Sequence, residues 1–227
     1  MTDTGGPRVR VTKNGPYLVD GPLPIAKQTI VVDDRQESVA WRESERAEKG
    51  TCALCRCGSS GVKPYCDGTH QVIGFDGTET ASRTPYLEAA TSIEGPQVAL
   101  LDEIELCAEA RFCSAKGSIW RRAAESDDDS RQAVIEQANL CPSGRYTAVD
   151  PDGHVHEPDL ERSIGLVEDP GGGVSGPLWV RGGVPVVSSD GEPYELRNRM
   201  TLCRCGGSKN KPFCDSTHVD IGFNASE

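Results

Sequence analysis

The sequence lacks the features of a membrane-spanning, exported or nucleic-acid-binding protein. It contains no stretch of about 18 apolar residues, and its N-terminus has no apolar run of the kind that a signal peptide requires. Acidic side chains outnumber basic ones by 35 to 24, and the net charge of -11 disfavours contact with nucleic-acid phosphates. We therefore expect a soluble, cytoplasmic protein with no nucleic-acid or membrane partner.

Apolar and aromatic residues are also scarce. Hydrophobic residues make up 36% of the 227-residue chain and aromatic residues 5%, whereas 25 Gly and 15 Pro predict many turns. This balance favours small, loop-rich units held partly by cofactors over one large apolar core. No nucleophile–base pair, phosphate-binding glycine loop or paired carboxylates appear, so the sequence does not indicate an enzyme.

Cysteine, by contrast, is abundant, with ten residues. In a chain without an export signal, we expect metal ligands or reduced core residues rather than disulfides. Two loops, CRCGSSGVKPYCDGTH and CRCGGSKNKPFCDSTH, repeat three thiols and one imidazole at identical spacing. The repeated donors are Cys55, Cys57, Cys66 and His70 in the first loop, and Cys203, Cys205, Cys214 and His218 in the second. This repeat indicates a metal site that is present twice.

The repetition extends to the segments on both sides of the loops. Residues 14–21 line up with residues 175–182 as β-like lead-ins, and the apolar residues 73–75 correspond to residues 221–223. The duplicated unit is therefore a whole module. The first copy also carries a longer, charged insertion over residues 35–49, which we predict to be an exposed connection.

A different segment separates the two copies. We therefore predict a first module over residues 1–84, an inserted segment over residues 85–165 and a second module over residues 166–227. Within the inserted segment, residues 130–139 are predicted to form a helix, with Asp and Ser residues at its start and an apolar face. Pro142 ends that helix.

Spacing alone leaves the identity of the metal open. Three thiolates and one imidazole suit structural zinc, which prefers a closed tetrahedral site. Zinc loops, however, usually separate their cysteines by about two to four residues, whereas Cys-x-Cys lets both thiolates face one iron. Iron is favoured on this ground, and zinc stays as the alternative.

Both loops resemble the CDGSH iron-sulfur family of the mitoNEET type, whose pattern is C-x-C-x2-[ST]-x3-P-x-C-D-G-[ST]-H. The resemblance implies that each loop binds one [2Fe-2S] cluster. Family members usually pair two copies through a β-rich cap, so the duplication implies an α+β fold in which two small β-rich CDGSH modules share an intrachain pseudo-dimeric β cap, within a monomer. Ser216 stands where the family has Gly, which costs energy if the position is left-handed.

The histidine ligand suggests the function that the resemblance implies. Replacing a thiolate by neutral imidazole should raise the reduction potential of a cluster. An exposed imidazole ligand also links the cluster to pH, because a protonated ring does not bind metal. We expect one-electron transfer with a soluble redox partner. The alternatives are an iron-sulfur cluster carrier that serves an apo-protein acceptor, or a redox or pH sensor, and a zinc-stabilised interaction module.

The inserted segment has cysteines of its own. Cys107, Cys113 and Cys141, the last followed by Pro-Ser-Gly, resemble the C-x5-C…C-P-S-G pattern of divergent mono-cluster ferredoxins. The resemblance implies a ferredoxin-like α+β segment with a [3Fe-4S] cluster, or a [4Fe-4S] cluster if a fourth donor is recruited. Cys52 is the remaining cysteine but belongs locally to the first loop. The alternative is that the three middle cysteines are buried, reduced core residues.

Two histidines and three tryptophans are predicted to have structural roles only. His154 and His156 alternate as on a strand, and we predict solvent-facing hairpin positions rather than a metal site. Trp41, Trp120 and Trp179 are predicted to anchor the core or the cap rather than to relay electrons.

Overall fold

The computed structural model describes residues 6–226, which form thirteen strands and five short α-helices. The strands are β1 (Arg8–Val11), β2 (Tyr17–Asp20), β3 (Leu23–Val32), β4 (Ser38–Lys49), β5 (Cys52–Leu54), β6 (Thr91–Ile93), β7 (Ala99–Asp102), β8 (Tyr146–Val149), β9 (Val155–His156), β10 (Ser163–Asp169), β11 (Val174–Arg181), β12 (Val186–Val187) and β13 (Arg199–Leu202). The helices are α1 (Thr69–Val72), α2 (Tyr86–Ala89), α3 (Ile119–Ala123), α4 (Asp128–Leu140) and α5 (Thr217–Asp220). In this part of the chain, no helix combines the length and the apolar character needed to cross a membrane.

Two sheets form a cap with internal pseudo-two-fold symmetry. Their strand orders are β12-β1-β2-β5 and β13-β11-β10-β3-β4. Strands β1, β2 and β5 of the first repeat match β10, β11 and β13 of the second. Each set of three is extended by a strand from the other repeat, because β12 pairs parallel with β1 and β3 pairs parallel with β10. This exchange of strands confirms the predicted pseudo-dimeric cap within one chain.

The core of the cap draws on both repeats. Tyr17 and Leu54 of the first repeat pack in one buried cluster with Ile164, Leu178 and Leu202 of the second. Alternate residues along each strand point inward, which places these side chains together. Burying each one contributes about 1.5–3 kcal/mol. Neither repeat completes this core alone, so the two repeats form one packed unit.

Residues 38–49 form a strand, so the prediction of a connection there is wrong, whereas the predicted exposure is confirmed for most of the side chains that the structure describes. β4 pairs antiparallel along the length of β3 and lies at the edge of the five-stranded sheet. Its many charged side chains suit an edge strand, where charge discourages pairing with another chain. The same composition resembles a solvated connection when only the sequence is considered.

The inserted segment folds around a third sheet, with strand order β6-β7-β8-β9. The predicted helix is confirmed as α4, whose N-cap residue Asp127 accepts a hydrogen bond from Ser130 N at 2.9 Å. Val134 and Ala138 of α4 are fully buried against this sheet. The α+β prediction is therefore confirmed for the segment. β10, which pairs in the cap, begins at Ser163, and the exact domain boundaries stay predictions.

A tryptophan fastens the cap to the inserted segment. Trp41 on β4 contacts Trp179 and Phe112, with ring centroids 4.9 and 5.0 Å apart. Its indole N–H donates to Leu140 O at 2.9 Å. The third tryptophan, Trp120, packs edge-on against an aromatic ring within the inserted segment. All three lie in packing contacts, as the sequence predicted.

Candidate metal centres

The two Cys-x-Cys pairs begin where cap strands end. Cys55 follows β5, and Cys203 follows β13. Each loop is closed by a backbone hydrogen bond to its proline, from Cys55 N to Pro64 O at 2.7 Å and from Cys203 N to Pro212 O at 2.9 Å. Both prolines follow a cis peptide bond. The two repeated loop sequences therefore adopt the same backbone arrangement.

An aspartate ties each loop to its short helix. Asp67 Oδ1 accepts from Thr69 N at 3.0 Å, and Asp67 Oδ2 accepts from Gly61 N at 2.8 Å. Asp215 makes the same two kinds of bond at 3.1 and 2.7 Å. The hydrogen bonds from Thr69 and then from Gly61 hold the pKa of Asp67 well below its usual range. These carboxylates stay charged, and they orient the helices that carry the histidines.

The four donors of each loop lie as two pairs. In the first loop, Cys55 Sγ is 3.8 Å from Cys57 Sγ, and Cys66 Sγ is 3.4 Å from His70 Nδ1. The corresponding distances in the second loop are 3.7 and 3.4 Å. Two thiolates bound tetrahedrally to one metal, with bonds of about 2.3 Å, lie about 3.8 Å apart, and a thiolate and an imidazole lie about 3.5 Å apart. Each pair therefore fits one metal ion.

The two pairs of a loop do not converge on a common point. Within residues 6–226, no three Cys, His, Asp or Glu side chains are grouped so that they could hold a single metal ion. A closed zinc site needs four donors around one ion, whereas a two-iron cluster needs two donors for each iron. The donor arrangement fits a [2Fe-2S] cluster better than a single zinc ion.

Burial makes thiolate unfavourable at several of these donors. It raises the pKa of Cys57 to about 11 and raises the pKa of Cys214 well above its ordinary value. Cys203 is the exception, because a hydrogen bond from Cys205 and then backbone N–H groups lower its pKa to about 6. A bound metal cation stabilises the thiolate form of its ligands. These buried thiols therefore suit a metal-bound state.

The two histidines differ in exposure. His70 is half-buried, whereas His218 is 4% exposed, and burial lowers the pKa of His218 to about 4. The helix α5 that carries His218 is followed by a backbone hydrogen bond from Ser175 N on β11 to Phe223 O at 2.8 Å. β11 has 8 residues where the matching β2 has 4, so it reaches this helix. The expectation of an exposed imidazole is therefore wrong for His218.

The two loops touch each other back to back. A Cβ atom on Gly58 would lie 2.4 Å from Cys205 O, and one on Gly206 would lie 2.4 Å from Cys57 O. Both glycines have positive φ, of 78° and 81°. Only glycine permits this approach, since any side chain would collide with the facing backbone. The contact fixes the position of one candidate centre relative to the other.

The replacement of Gly by Ser in the second loop has a structural cost. Ser216 has a φ of 71° where the matching Gly68 has 90°, so both positions are left-handed. Because an L-residue pays roughly 1–2 kcal/mol there, we expect Ser216→Gly to stabilise the protein by about 0.5–1 kcal/mol after the entropic cost of glycine. Thermal unfolding should show a higher Tm for Ser216→Gly and a lower Tm for Gly68→Ser. Shifts of the same sign would contradict this assignment.

Sequence reasoning missed residues that support the loops from inside the cap. Arg56 donates to Thr12 O at 3.2 Å and to Gly77 O at 2.7 Å. Tyr17, fully buried, donates its hydroxyl to Cys203 O at 2.8 Å and so links the first repeat to the loop of the second. The repeated Cys-Arg-Cys signalled the arginine. Nothing signalled the tyrosine, which aligns with Leu178.

The middle cysteines come together at one end of the inserted segment. Cys107 follows a 3-10 turn, Cys113 lies in the next one, and Cys141 is the C-cap residue of α4. Burial raises the pKa of Cys113, and the nearby Cys141 and Cys107 raise it further. Beside Cys113, the buried Tyr146 hydroxyl has no hydrogen-bond partner of normal geometry in the described chain. The Cys113 sulfur lies beside this hydroxyl and can accept from it, and the thiols of Cys107, Cys113 and Cys141 are the donors that an iron-sulfur cluster would need here.

Two other candidates lie apart from these centres. Cys52 lies on β5 opposite Val19 in the first sheet, so it does not supply a fourth donor from the inserted segment. The rings of His154 and His156 meet edge to face with centroids 4.7 Å apart, and His156 Nε2 lies 2.9 Å from Asp150 Oδ2. His156 lies on the β8–β9 hairpin, and among the described residues this pair belongs to no metal-binding group.

Comparison with known families agrees with this arrangement. The family described as iron-binding zinc finger, CDGSH type, matches residues 14–71 and 175–219. The family described as divergent 4Fe-4S mono-cluster matches residues 93–151, between those two regions. No curated protein and no solved structure shows a significant match to the chain. The matched regions contain the two repeated loops and the three middle cysteines.

Proposed function

We propose that this chain, an iron-sulfur protein with two CDGSH-type regions on either side of a divergent 4Fe-4S mono-cluster region, is a one-electron carrier and not an enzyme. The observation that carries the proposal is the pairing of donors in each repeated loop at 3.4–3.8 Å, with no third donor at the same point in the described chain. A bound [2Fe-2S] cluster accepts and releases a single electron, at a potential raised by the imidazole ligand.

In the first loop, two pairs of residues would hold such a cluster from opposite sides. Cys55 and Cys57 are buried beneath the loop and hold the inner side, whereas Cys66 and His70 are half-buried and hold the outer side. Arg56 lies between the inner cysteines in sequence and binds carbonyl oxygens of its own module, which anchors the loop to the cap. The second loop offers the corresponding donors, but there Cys203, Cys214 and His218 are buried and Cys205 is half-buried.

The middle cysteines are proposed to hold a third cluster, of the [3Fe-4S] or [4Fe-4S] type. Two arginines support this assignment. The side chain of Arg199 is fully buried and donates to Cys141 O at 2.9 Å. Burial lowers the pKa of Arg145, but the hydrogen bond to Asp102 and nearby charges together outweigh that effect, with Cys107 adding a smaller increase. Each guanidinium is also ion-paired, Arg199 with Glu157 and Arg145 with Asp102, so these arginines fix the backbone around the cysteines rather than supply unpaired positive charge.

A soluble redox partner is proposed to approach the first loop. His70 is half-buried, and the neighbouring Val62 and Val72 are 56% and 88% exposed. A partner that reaches this loop meets the outer ligand pair directly. The same exposure favours a second candidate function, in which the protein passes an intact cluster to an apo-protein acceptor through His70.

Metal analysis tests the cluster assignment. We expect a red-brown protein that dithionite bleaches reversibly, with about seven or eight irons per chain, because two two-iron clusters accompany one of three or four irons. Cys66→Ser and Cys214→Ser, a matched pair, should each remove about two irons. A colourless protein that contains zinc would overturn the proposal, and four irons would leave the middle cysteines as reduced core residues.

Incubation with an apo-ferredoxin separates the two candidate functions. An electron carrier keeps its absorbance and leaves the acceptor without a cluster. A cluster carrier in its oxidised state loses absorbance as the acceptor gains it, and His70→Cys should slow that transfer because a thiolate replaces the exchangeable imidazole ligand.

A further inference from the structure

The two repeated loops differ in what they touch. Val62 of the first loop is 56% exposed. The matching position in the second loop is Asn210, whose Nδ2 donates to Glu105 O at 2.9 Å. Glu105 belongs to the turn that leads into Cys107. The second loop therefore contacts the segment that carries a middle cysteine, through a side chain that the first loop does not have.

Further bonds hold the cysteine-bearing turns of the inserted segment against the second module. Arg111, between Cys107 and Cys113 in sequence, forms a bidentate ion pair with Asp169 on β10, at 2.5 and 2.8 Å. Arg197, just before β13, donates to Gly144 O at 2.5 Å. Together with the contact from Arg199 to Cys141 O, these bonds attach both cysteine-bearing turns to the second repeat.

One of the middle cysteines, Cys107, and the second loop line the same cavity. The cavity has a volume of about 990 Å³, and its lining includes Cys107 together with Phe213 and Asp215, the neighbours of Cys214. Residues 55–70 of the first loop do not line this cavity. The second site thus lies beside the middle site.

We propose that Asn210 is a positioning residue that docks the second Cys3His loop onto the turn bearing Cys107, so that the second site and the middle site adjoin while the first site faces outward. This inference rests on the proposed function in one respect, since both sites must hold clusters for the docking to couple them. The docking itself involves only residues of the protein and does not require a bound cluster. Val62 shows that the loop tolerates valine at this position, which makes Asn210→Val a mild substitution.

Hydrogen exchange of the protein as isolated tests the docking. In Asn210→Val, loss of the bond to Glu105 O should raise the exchange rates of the Leu106 and Cys107 amides by about threefold to tenfold, the range expected for one net hydrogen bond. Asn210→Asp, which keeps the volume but lacks the N–H donor, should do the same. Val62→Asn, the matched change in the first loop, should leave these rates unchanged. Unchanged rates in both Asn210 variants would overturn the proposal.

Paramagnetic resonance of the fully reduced protein tests the coupling. We expect a magnetic interaction between the middle centre and the second centre, which Cys214→Ser abolishes and Asn210→Val weakens, while Cys66→Ser leaves it in place. An interaction abolished by Cys66→Ser instead would place the middle centre beside the first site and overturn the proposal. A protein without iron would overturn the proposed function. The hydrogen-exchange rates of the Asn210 variants would then test by themselves whether Asn210 docks the second loop.

Discussion

Gly58→Ala is expected to lower the Tm by about 5–15 °C and to disturb both repeated loops at once. A Cβ atom at this position would lie 2.4 Å from Cys205 O and cannot be accommodated without moving the facing backbone. The left-handed conformation costs an alanine roughly 1–2 kcal/mol, and the overpacked contact adds about 1–3 kcal/mol. Each kcal/mol shifts the Tm of a chain of this size by about 2–4 °C.

Gly68→Ala separates the two contributions to that loss. Gly68 is left-handed like Gly58, with a φ of 90°, but no atom lies within 4 Å of a Cβ built there. It should therefore lose only about 2–8 °C, from backbone strain alone. Gly206→Ala, the pseudo-symmetric change, should match Gly58→Ala. The double variant should lose less than the sum, because both changes push the same two loops apart. Equal losses at Gly58 and Gly68 would show that the contact carries no strain.

The repeated loops could be predicted from the sequence because donor spacing is a local property. Cys55, Cys57 and Cys66 are brought together by a turn, a proline and an aspartate that all lie within the same short segment. The shared cap was predicted by the duplication together with the resemblance to the CDGSH family, whose members usually pair two copies through a β-rich cap. The structure adds that β3 and β12 exchange places between the repeats, which no local pattern records.

The features that the sequence did not predict depend on contacts between distant parts of the chain. The charged residues 38–49 form a strand because β3 offers an unpaired edge, and the sequence shows only their charge. His218 is buried because β11 is long enough to reach the helix that carries it. The role of Asn210 likewise depends on the inserted segment lying against the second loop. The sequence shows that the two loops differ at this position, with Asn210 in one and Val62 in the other. Only the fold shows that Asn210 contacts the inserted segment and Val62 does not.

On acidification, the visible absorbance is expected to decay in two phases, with the first site emptied at least about tenfold faster than the second near pH 6. A protonated imidazole does not bind metal, so the histidine ligand sets the sensitivity of each site to acid. Burial lowers the pKa of His218 to about 4, which means that its neutral, metal-binding form is favoured. At pH 6 about 1% of such rings are protonated. His70 is half-buried and in contact with solvent, without the protection that His218 has.

Variants of each histidine assign the two phases. His70→Cys should remove the fast phase, because a thiolate replaces the accessible imidazole, and His218→Cys should change only the slow phase. The slow phase should accelerate as the pH approaches 4, where half of the His218 rings would be protonated. Stopped-flow absorbance from pH 7 to pH 4 measures both rates, and iron counts at the end of each phase should fall by about two. A single phase, or a fast phase that survives His70→Cys, would show that the burial of His218 does not control the release of its cluster. The two loops, which carry the same four donors at the same spacing, would then respond to acid as one, despite the different surroundings that the fold gives them.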